Sequence, residues 1–490
     1  MTPPGTSEHR QRYRAVVARD ARFDGVFYTA VRTTRIYCRP SCPAVTPRSE
    51  NVEFHRTAAA AEDAGFRACR RCRPDTTPGS PEWDVRADVV ARAMRLLRDG
   101  VVERDGVSGL ADRLGYSVRH VNRVITAELG VGPLSIARSE RVRTARVLVE
   151  TTELSMADIA FAAGFSSVRQ FNASFRQAFD RTPREMRDRR GRLGGADVLS
   201  LRLPVRRPFA ADALAQFLVD HAVPGLEHGS GRTFARVLDL PHGLGVIELG
   251  LHDDHVACRL ELQDLRDTAA AVARTRRLLD LDADPAAIDE ALASDAALRG
   301  LVLDAPGLRV PGAVDAFETL ARTVVGQQVS VSGARTVIGR VVAEHGHPVD
   351  LRLAREHGLT RAFPRPEVLA GLDVETLPMP RSRGRTVVGV AAAVAEGRLD
   401  LDPGTDRVAA RADLLAQTGI GPWTADYTLM RGLGDPDVLL DTDLVLRREL
   451  VARGLDPEHT ARWSPWRSYA GMHLWRASAL DRDHLERITA

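Results

Sequence analysis

The chain has 490 residues, of which 44% are hydrophobic and 27% charged. That is globular composition in a chain too long for one core, and about three or four domains are expected. The longest apolar stretch, Val387 to Ala395, is far too short to span a bilayer, and the polar start, Met1 to Arg14, has no signal-peptide core, so a cytoplasmic protein with no membrane partner is expected.

Net charge is +3, unevenly spread: residues 1–190 hold 33 arginines against 23 acidic residues, and the remainder 35 against 42. The front part is therefore +10 and the rest −7. A basic front half suits phosphate-bearing partners, although a solvated charged surface gives the same count. The chain contains no lysine, so all 68 basic residues are arginine. Chemistry that needs a side-chain amine, such as a Schiff base, is excluded.

Turn-rich breaks at Arg73–Pro81 (RPDTTPGSP), Arg189–Ala196 (RRGRLGGA) and Leu303–Pro311 punctuate the chain. They divide it into residues 1–80, 81–190, 196–303 and 304–490. The expected fold is multidomain: a small α+β zinc domain, an all-α domain with two helix-turn-helix units, an α+β domain and an all-α domain. Alternating strands are expected at Val198–Leu203, Gly245–Leu251 and His255–Leu262, and almost everything from Val314 onward reads as helix.

Four of the five cysteines, Cys38, Cys42, Cys69 and Cys72, form the pattern C-x3-C…C-x2-C. Closely spaced pairs converging from two loops make a tetrahedral thiolate site for one Zn2+. Disulfides are the competing reading, disfavoured in a reducing compartment. Cys258 stands alone in a strand-like segment and reads as core. The stretches FYTAVRTTRIYCRPSCP (27–43) and AGFRACRRCRPD (64–75) closely resemble the amino-terminal domain of Ada adaptive-response proteins. That resemblance implies that Cys38 is the residue that accepts a methyl group from a methylphosphotriester of DNA.

Residues 84–188 carry two helix-turn-helix patterns, with Gly115 and Gly164 at the turns. Ser117 caps the second helix of the first pattern, and Ser166 or Ser167 that of the second. Phe171, Phe175 and Phe179 recur every four residues and read as core. The region resembles the AraC-type DNA-binding domain, down to its closing FDRTPREMR. By position Arg119, Asn122, Arg123, Arg169 and Asn172 face outward and are candidates for promoter-DNA contact, against solvated charge as the alternative. RNA polymerase is a further partner that the resemblance admits.

In LLAQTGIGPWTA (414–425), Gly419 and Gly421 lie between two helical stretches, as in a helix-hairpin-helix. Glycines there let the backbone and a helix start approach a phosphate. Asp443 follows 24 residues after Gly419. It could simply cap a helix, and Asp441 is a rival carboxylate.

Hairpin and aspartate resemble the helix-hairpin-helix DNA glycosylases. VDAFETLARTVVGQQVS (314–330), GIGPWTADY (419–427) and WSPWRSYAGMHLW (463–475) narrow this to the AlkA type, over roughly residues 198–480. The resemblance places the catalytic carboxylate at Asp443 and an aromatic base pocket at Trp423, Tyr427 and Trp475. It puts a gap-filling residue at Gln328, where some relatives have an apolar wedge, and admits a monovalent cation at the hairpin. Relatives that also nick the strand have a lysine where Trp423 stands, so a monofunctional glycosylase is expected. No cysteine follows Cys258 to hold an iron–sulfur cluster. The chain also lacks the Pro-Cys-His-Arg motif of the second methyl-accepting domain of Ada proteins, so repair of O6-methylguanine is not expected.

The sequence thus reads as a sensor of DNA methylphosphotriesters and regulator, fused to a glycosylase that excises alkylated bases such as 3-methyladenine from duplex DNA. Two rivals stand beside it: a glycosylase whose front half only targets DNA, and a transcription factor whose glycosylase half is inert.

Overall fold

The computed structural model describes residues 6–17, 19, 27–42, 44–55, 61, 64–69, 72, 74, 85–152, 154–188 and 198–489. The joint at Arg189–Ala196 and, apart from Pro74, the linker at Arg73–Pro81 lie outside the described residues. Chain contacts define two compact units, Met1–Ala91 and Arg92–Ala490.

In the first unit a helix, α1 (Ser7–Val17), accompanies a four-stranded sheet of β1 (Tyr28–Val31), β2 (Ile36–Cys38), β3 (Val52–His55) and β4 (Arg67–Ala68). The spatial order is β3-β1-β2-β4. Tyr28, Ala30, Tyr37 and Phe66 form one small core; Ala15, Val16, Phe27, Val52 and Phe54 form another. The parallel pairing of β2 with β4 sets Tyr37 beside Ala68, and the Cys69 amide donates to the Tyr37 carbonyl at 3.0 Å. The register therefore brings the end of β2, which is Cys38, to Cys69.

The second unit begins in the helix Val85–Arg98, which leads into two helix-turn-helix pairs, Val101–Leu114 with Val118–Leu129 and Met156–Ala162 with Val168–Phe179, joined by the helix Pro133–Thr151. Gly115 and Gly164 turn the chain at φ 75° and 82°, a left-handed backbone that glycine adopts without strain. Ser117 Oγ accepts from the His120 amide. In the second pair the cap is Ser167, which accepts from the Gln170 amide, whereas Ser166 donates to the Gln170 side chain. Phe171 and Phe175 are fully buried, and Phe179 is partly buried at the edge of the same core.

An antiparallel sheet follows, β5 (Leu199–Pro204), β6 (Glu227–Ser230), β7 (Thr233–Leu240), β8 (Gly243–Leu251) and β9 (His255–Leu262), in the order β5-β9-β8-β7-β6. The three expected strands are present as β5, β8 and β9. Strands β6 and β7 are additional, and β7 reads poorly as a strand because both of its faces are covered. Alternate residues serve different cores. Phe234, Leu238, Ile247 and Leu249 face a cluster that includes Leu148, Phe171 and Phe175 of the helix-turn-helix pairs. Ala235, Val237 and Val246 face Leu320, Val324, Val341 and Val387 of the helical region.

Helices Pro285–Ala293 and Ala296–Asp304 fall with the sheet when the chain is divided at residue 303. Their Ile288, Leu292, Leu298 and Val302 instead share a core with Met430, Leu446, Trp463 and Leu474. The region after Val314 is helical as expected, apart from a short antiparallel ladder between His347–Pro348 and Arg361–Ala362.

A buried charge cluster joins sheet to helix. Arg236 of β7 donates to Glu227 of β6 and to Glu318 of the helix Ala316–Gly326, each at 2.8 Å. Arg322 donates to the same two carboxylates at 3.0 and 2.9 Å.

The seam between the helix-turn-helix pairs and the sheet is testable. Phe175→Ala is expected to destabilise the protein by about 3–5 kcal/mol through lost burial and a residual cavity. Urea unfolding followed by circular dichroism measures this, and an unchanged midpoint would contradict a core shared with the sheet.

Candidate functional sites: a four-cysteine centre and a carboxylate cleft

The Sγ atoms of Cys38, Cys42, Cys69 and Cys72 lie within 4.8 Å of one another. The Cys42–Cys69 separation is 4.0 Å. Zinc–sulfur bonds of about 2.3 Å at tetrahedral angles place sulfurs about 3.8 Å apart, whereas a disulfide needs about 2.05 Å. Three of the cysteines are buried and Cys38 is half-exposed. The Arg39 amide donates to Cys72 Sγ at 3.4 Å, and the buried Arg39 guanidinium donates to the Cys72 carbonyl. Hydrogen bonds with the Cys42 and Cys72 sulfurs, and then burial, push the Cys38 thiol far above its ordinary value. Hydrogen bonds from Cys38 and Cys72 pull Cys42 down to about 2. So crowded a set cannot all be thiolate unless a cation neutralises it. The residues fit a dication with four thiolate ligands.

Asp443 is the N-cap of the helix Leu444–Ala452. Its Oδ1 accepts from the amides of Val445 and Leu446 at 3.0 and 2.9 Å and from the indole of Trp475 at 3.1 Å. Oδ2 accepts from the Trp423 indole at 3.0 Å. The carboxylate thus caps this helix at the positive end of its dipole and is at the same time held by two indoles. Asp441 is exposed and caps no helix. Trp423 stacks on Tyr427 with ring centres 5.0 Å apart, and Tyr427 and Trp475 lie 6.5 Å apart. All four residues are half-buried.

Trp423 and Tyr427 also line a cavity of about 270 Å3 together with Phe217, His221 and Arg431. Arg431 donates to the Tyr427 hydroxyl at 2.6 Å. Its guanidinium lies 4.5 Å from the Phe217 ring and 5.4 Å from the Tyr427 ring, a cation between two π faces. His221 stacks on Phe217 at 4.1 Å, and burial, followed by the charges of Arg431 and Arg322, pushes it down to about 4. It is therefore neutral at pH 7.

The hairpin stands beside this cleft. Gly419 has φ 85°, and a Cβ there would lie 2.1 Å from Thr386 Oγ1, so only glycine fits. Gly421 is exposed and precedes the helix Pro422–Tyr427. The Gln327 side-chain amide donates to the Gly419 carbonyl at 3.2 Å and to Thr424 Oγ1 at 3.0 Å. Gln328, exposed at the next position, has φ 56°.

Sequence-family profiles match three parts of the chain: the metal binding domain of Ada at residues 11–75, a helix-turn-helix domain at 110–189, and the AlkA N-terminal domain at 200–315. Over 475 residues the chain is 52% identical to the probable bifunctional transcriptional activator/DNA repair enzyme AlkA of Mycobacterium tuberculosis, covering 94% of this chain and 95% of that protein. The chain belongs to this bifunctional AlkA family. It is also 32% identical to DNA-3-methyladenine glycosylase 2 of Escherichia coli, over 55% of this chain and 94% of that protein. With the bifunctional transcriptional activator/DNA repair enzyme Ada of Escherichia coli it shares 34% identity, over 36% of this chain and 48% of that protein.

In this AlkA-family chain the four cysteines are a Zn2+ site. The structure brings Asp443, Trp423, Tyr427 and Trp475 together and sets the hairpin glycines beside them. Of the outward candidates, Arg119, Arg123, Arg169 and Asn172 are exposed. Asn122 is half-buried and donates to the Val118 carbonyl of its own helix at 2.9 Å, which leaves its amide less free than position alone suggested. The sequence reading did not single out Phe217, His221 or Arg431. For Arg431 a signal existed, since it follows Tyr427 by one helical turn. Phe217 and His221 reach the cavity only through the packing of sheet region on helices.

Loss of one buried ligand should release the metal. Cys42→Ser or Cys72→Ser is expected to reduce bound zinc from about one equivalent to near none. Metal analysis of the purified full chain measures this, and wild-type zinc content in both variants would contradict the assignment.

Proposed function

We propose that this protein senses DNA alkylation through Cys38 and removes alkylated bases through Asp443. In this reading residues 1–80 are the sensor, 81–190 the promoter reader, and 196–303 with 304–490 the glycosylase. The observation that carries the enzymatic half is the Asp443 carboxylate, fixed by four N–H donors beside three aromatic rings.

An alkylated purine such as 3-methyladenine is cationic and a good leaving group. It must leave the stack to be reached, and the faces of Trp423, Tyr427 and Trp475 attract its charge. The N-glycosidic bond breaks with its electron pair going to the base, which departs neutral. Asp443 stabilises the oxocarbenium-like sugar and orients the water that adds to it, releasing a proton. With no lysine to attack the sugar, the product is an abasic site. Gln328, exposed on a left-handed turn, occupies the gap left by the flipped base. The amides after Gly419 and Gly421 meet the backbone phosphate, with a monovalent cation at the hairpin.

Bound zinc keeps the four thiols ionised. Cys38, the most accessible ligand, attacks the methyl carbon of a phosphotriester. A sulfur–carbon bond forms as the carbon–oxygen bond breaks, and the electron pair stays on the phosphate oxygen. The thioether is stable, so each molecule reacts once. Methylation brings the centre from −2 to −1, which weakens repulsion from DNA phosphate. Arg119, Arg123, Arg169 and Asn172 then hold promoter DNA, with Asn122 in a lesser role, where RNA polymerase is the further partner.

Two experiments test the halves separately. Asp443→Asn is expected to slow release of 3-methyladenine from methylated duplex on the order of 100-fold or more; release equal to wild type would refute catalysis by Asp443. Exposure of the full chain to methylphosphotriester DNA should add one methyl group to Cys38, located by intact mass and peptide mapping. If Cys38 stays unmodified, the front half only targets DNA.

A further inference from the structure

The helix-turn-helix pairs are built into the glycosylase body. Besides the shared core of Leu148, Phe171 and Phe175 with the sheet, charged contacts close the seam. Arg113 donates to Asp402 at 2.7 Å and Arg98 to Asp282 at 3.2 Å. Asp99, buried at 6% exposure, lies 3.5 Å from Arg277 and 3.6 Å from Arg274. The Arg92 guanidinium donates to the Gly404 carbonyl, and Leu96 packs so tightly on Gly404 that a Cβ there would come within 2.5 Å of it. An apolar core, the buried Asp99 beside Arg274 and Arg277, and two more exposed ion pairs join the two bodies.

With the seam closed, Arg119, Arg123, Arg169 and Asn172 remain exposed. Charge gives that surface a task. Residues 191–490 carry 35 arginines and 42 acidic residues, so the glycosylase body has a formal charge of −7 and no net attraction for DNA. Residues 92–188, fixed to it, carry 16 arginines and 12 acidic residues, or +4. Phosphate contacts supply most of the sequence-independent affinity for duplex DNA.

We infer that the recognition-helix face is a DNA-contact surface of base excision itself, holding the duplex that flanks the lesion while the cleft acts on the flipped base. The partner is the phosphate backbone of any duplex, with no promoter sequence required. The inference rests on the proposed glycosylase activity and adds to it a second, remote grip on the substrate.

The test uses the full chain and a duplex several helical turns long, of arbitrary sequence, carrying 3-methyladenine. The measured quantity is the dependence of log kcat/KM on log salt for wild type and for the double variant Arg119→Ala with Arg169→Ala. Each phosphate contact contributes about 0.9 to that slope. The variant is expected to lose about 1.8 of it, with a raised KM. Both residues are exposed, and circular dichroism checks that the variant folds. Wild-type base release with superimposable slopes overturns this inference and leaves the glycosylase standing. No release by wild type overturns both.

Discussion

Two glutamates and two arginines, mostly buried, hold the sheet against the helix that lines the cavity beside Trp423 and Tyr427. Arg236 and Arg322 each reach both Glu227 and Glu318, and the four charges sum to zero. Such a cluster adds little stability over an apolar core, but loss of one member strands a buried charge at about 3–5 kcal/mol. Its main effect is registration. The helix Ala316–Gly326 can dock on β6 and β7 in one position only, and that helix ends at Gln327, whose amide ties it to Gly419 and Thr424. A line of directional contacts therefore runs from the sheet to the hairpin at Gly419.

The two chemical sites handle negative charge in opposite ways. At Asp443 one carboxylate is surrounded by donors drawn from three helices, so a small anion is fixed in one orientation. In the cysteine centre the parallel pairing of β2 with β4 brings Cys38 to Cys69, Cys42 and Cys72 complete the cluster, and the mutual repulsion of four thiolates needs a dication. In the first, four N–H donors hold the carboxylate in place; in the second, Cys38 is the one cysteine left half-exposed.

Local signals in the sequence were strong wherever a short segment carries its own chemistry. The cysteine spacing and the glycine turns at Gly115 and Gly164 read correctly from neighbours alone, whereas the choice of Asp443 over Asp441 came only from the resemblance to a family motif. Ser166 and Ser167 could not be separated until the backbone showed which amide each faces. Strand β7 hid because burial on both faces erases alternation. The cavity partners Phe217 and His221 and the seam around Asp99 were illegible for a further reason. They depend on residues one hundred to three hundred positions away, and no local period encodes such pairings. The same holds for helices Pro285–Ala293 and Ala296–Asp304, whose apolar faces are plain but whose partner core is not.

Arginine as the sole cation suits these long-range links, because the planar fork can bind two acceptors at once. Arg467 grips Asp437 through two nitrogens, Arg411 grips Asp426, and Arg365 grips Asp239 in the same way.

Cys258 lies in the middle of β9, 2% exposed, and burial, with Glu248 nearby, pushes its thiol up to about 12. Reagents that methylate DNA also attack free sulfur, so in the proposed sensing role an accessible thiol elsewhere in the chain would be a competing target. Protonated and walled in by the sheet, Cys258 offers such reagents neither charge nor access. Among the five cysteines, burial therefore leaves Cys38 of the four-cysteine centre as the most accessible sulfur.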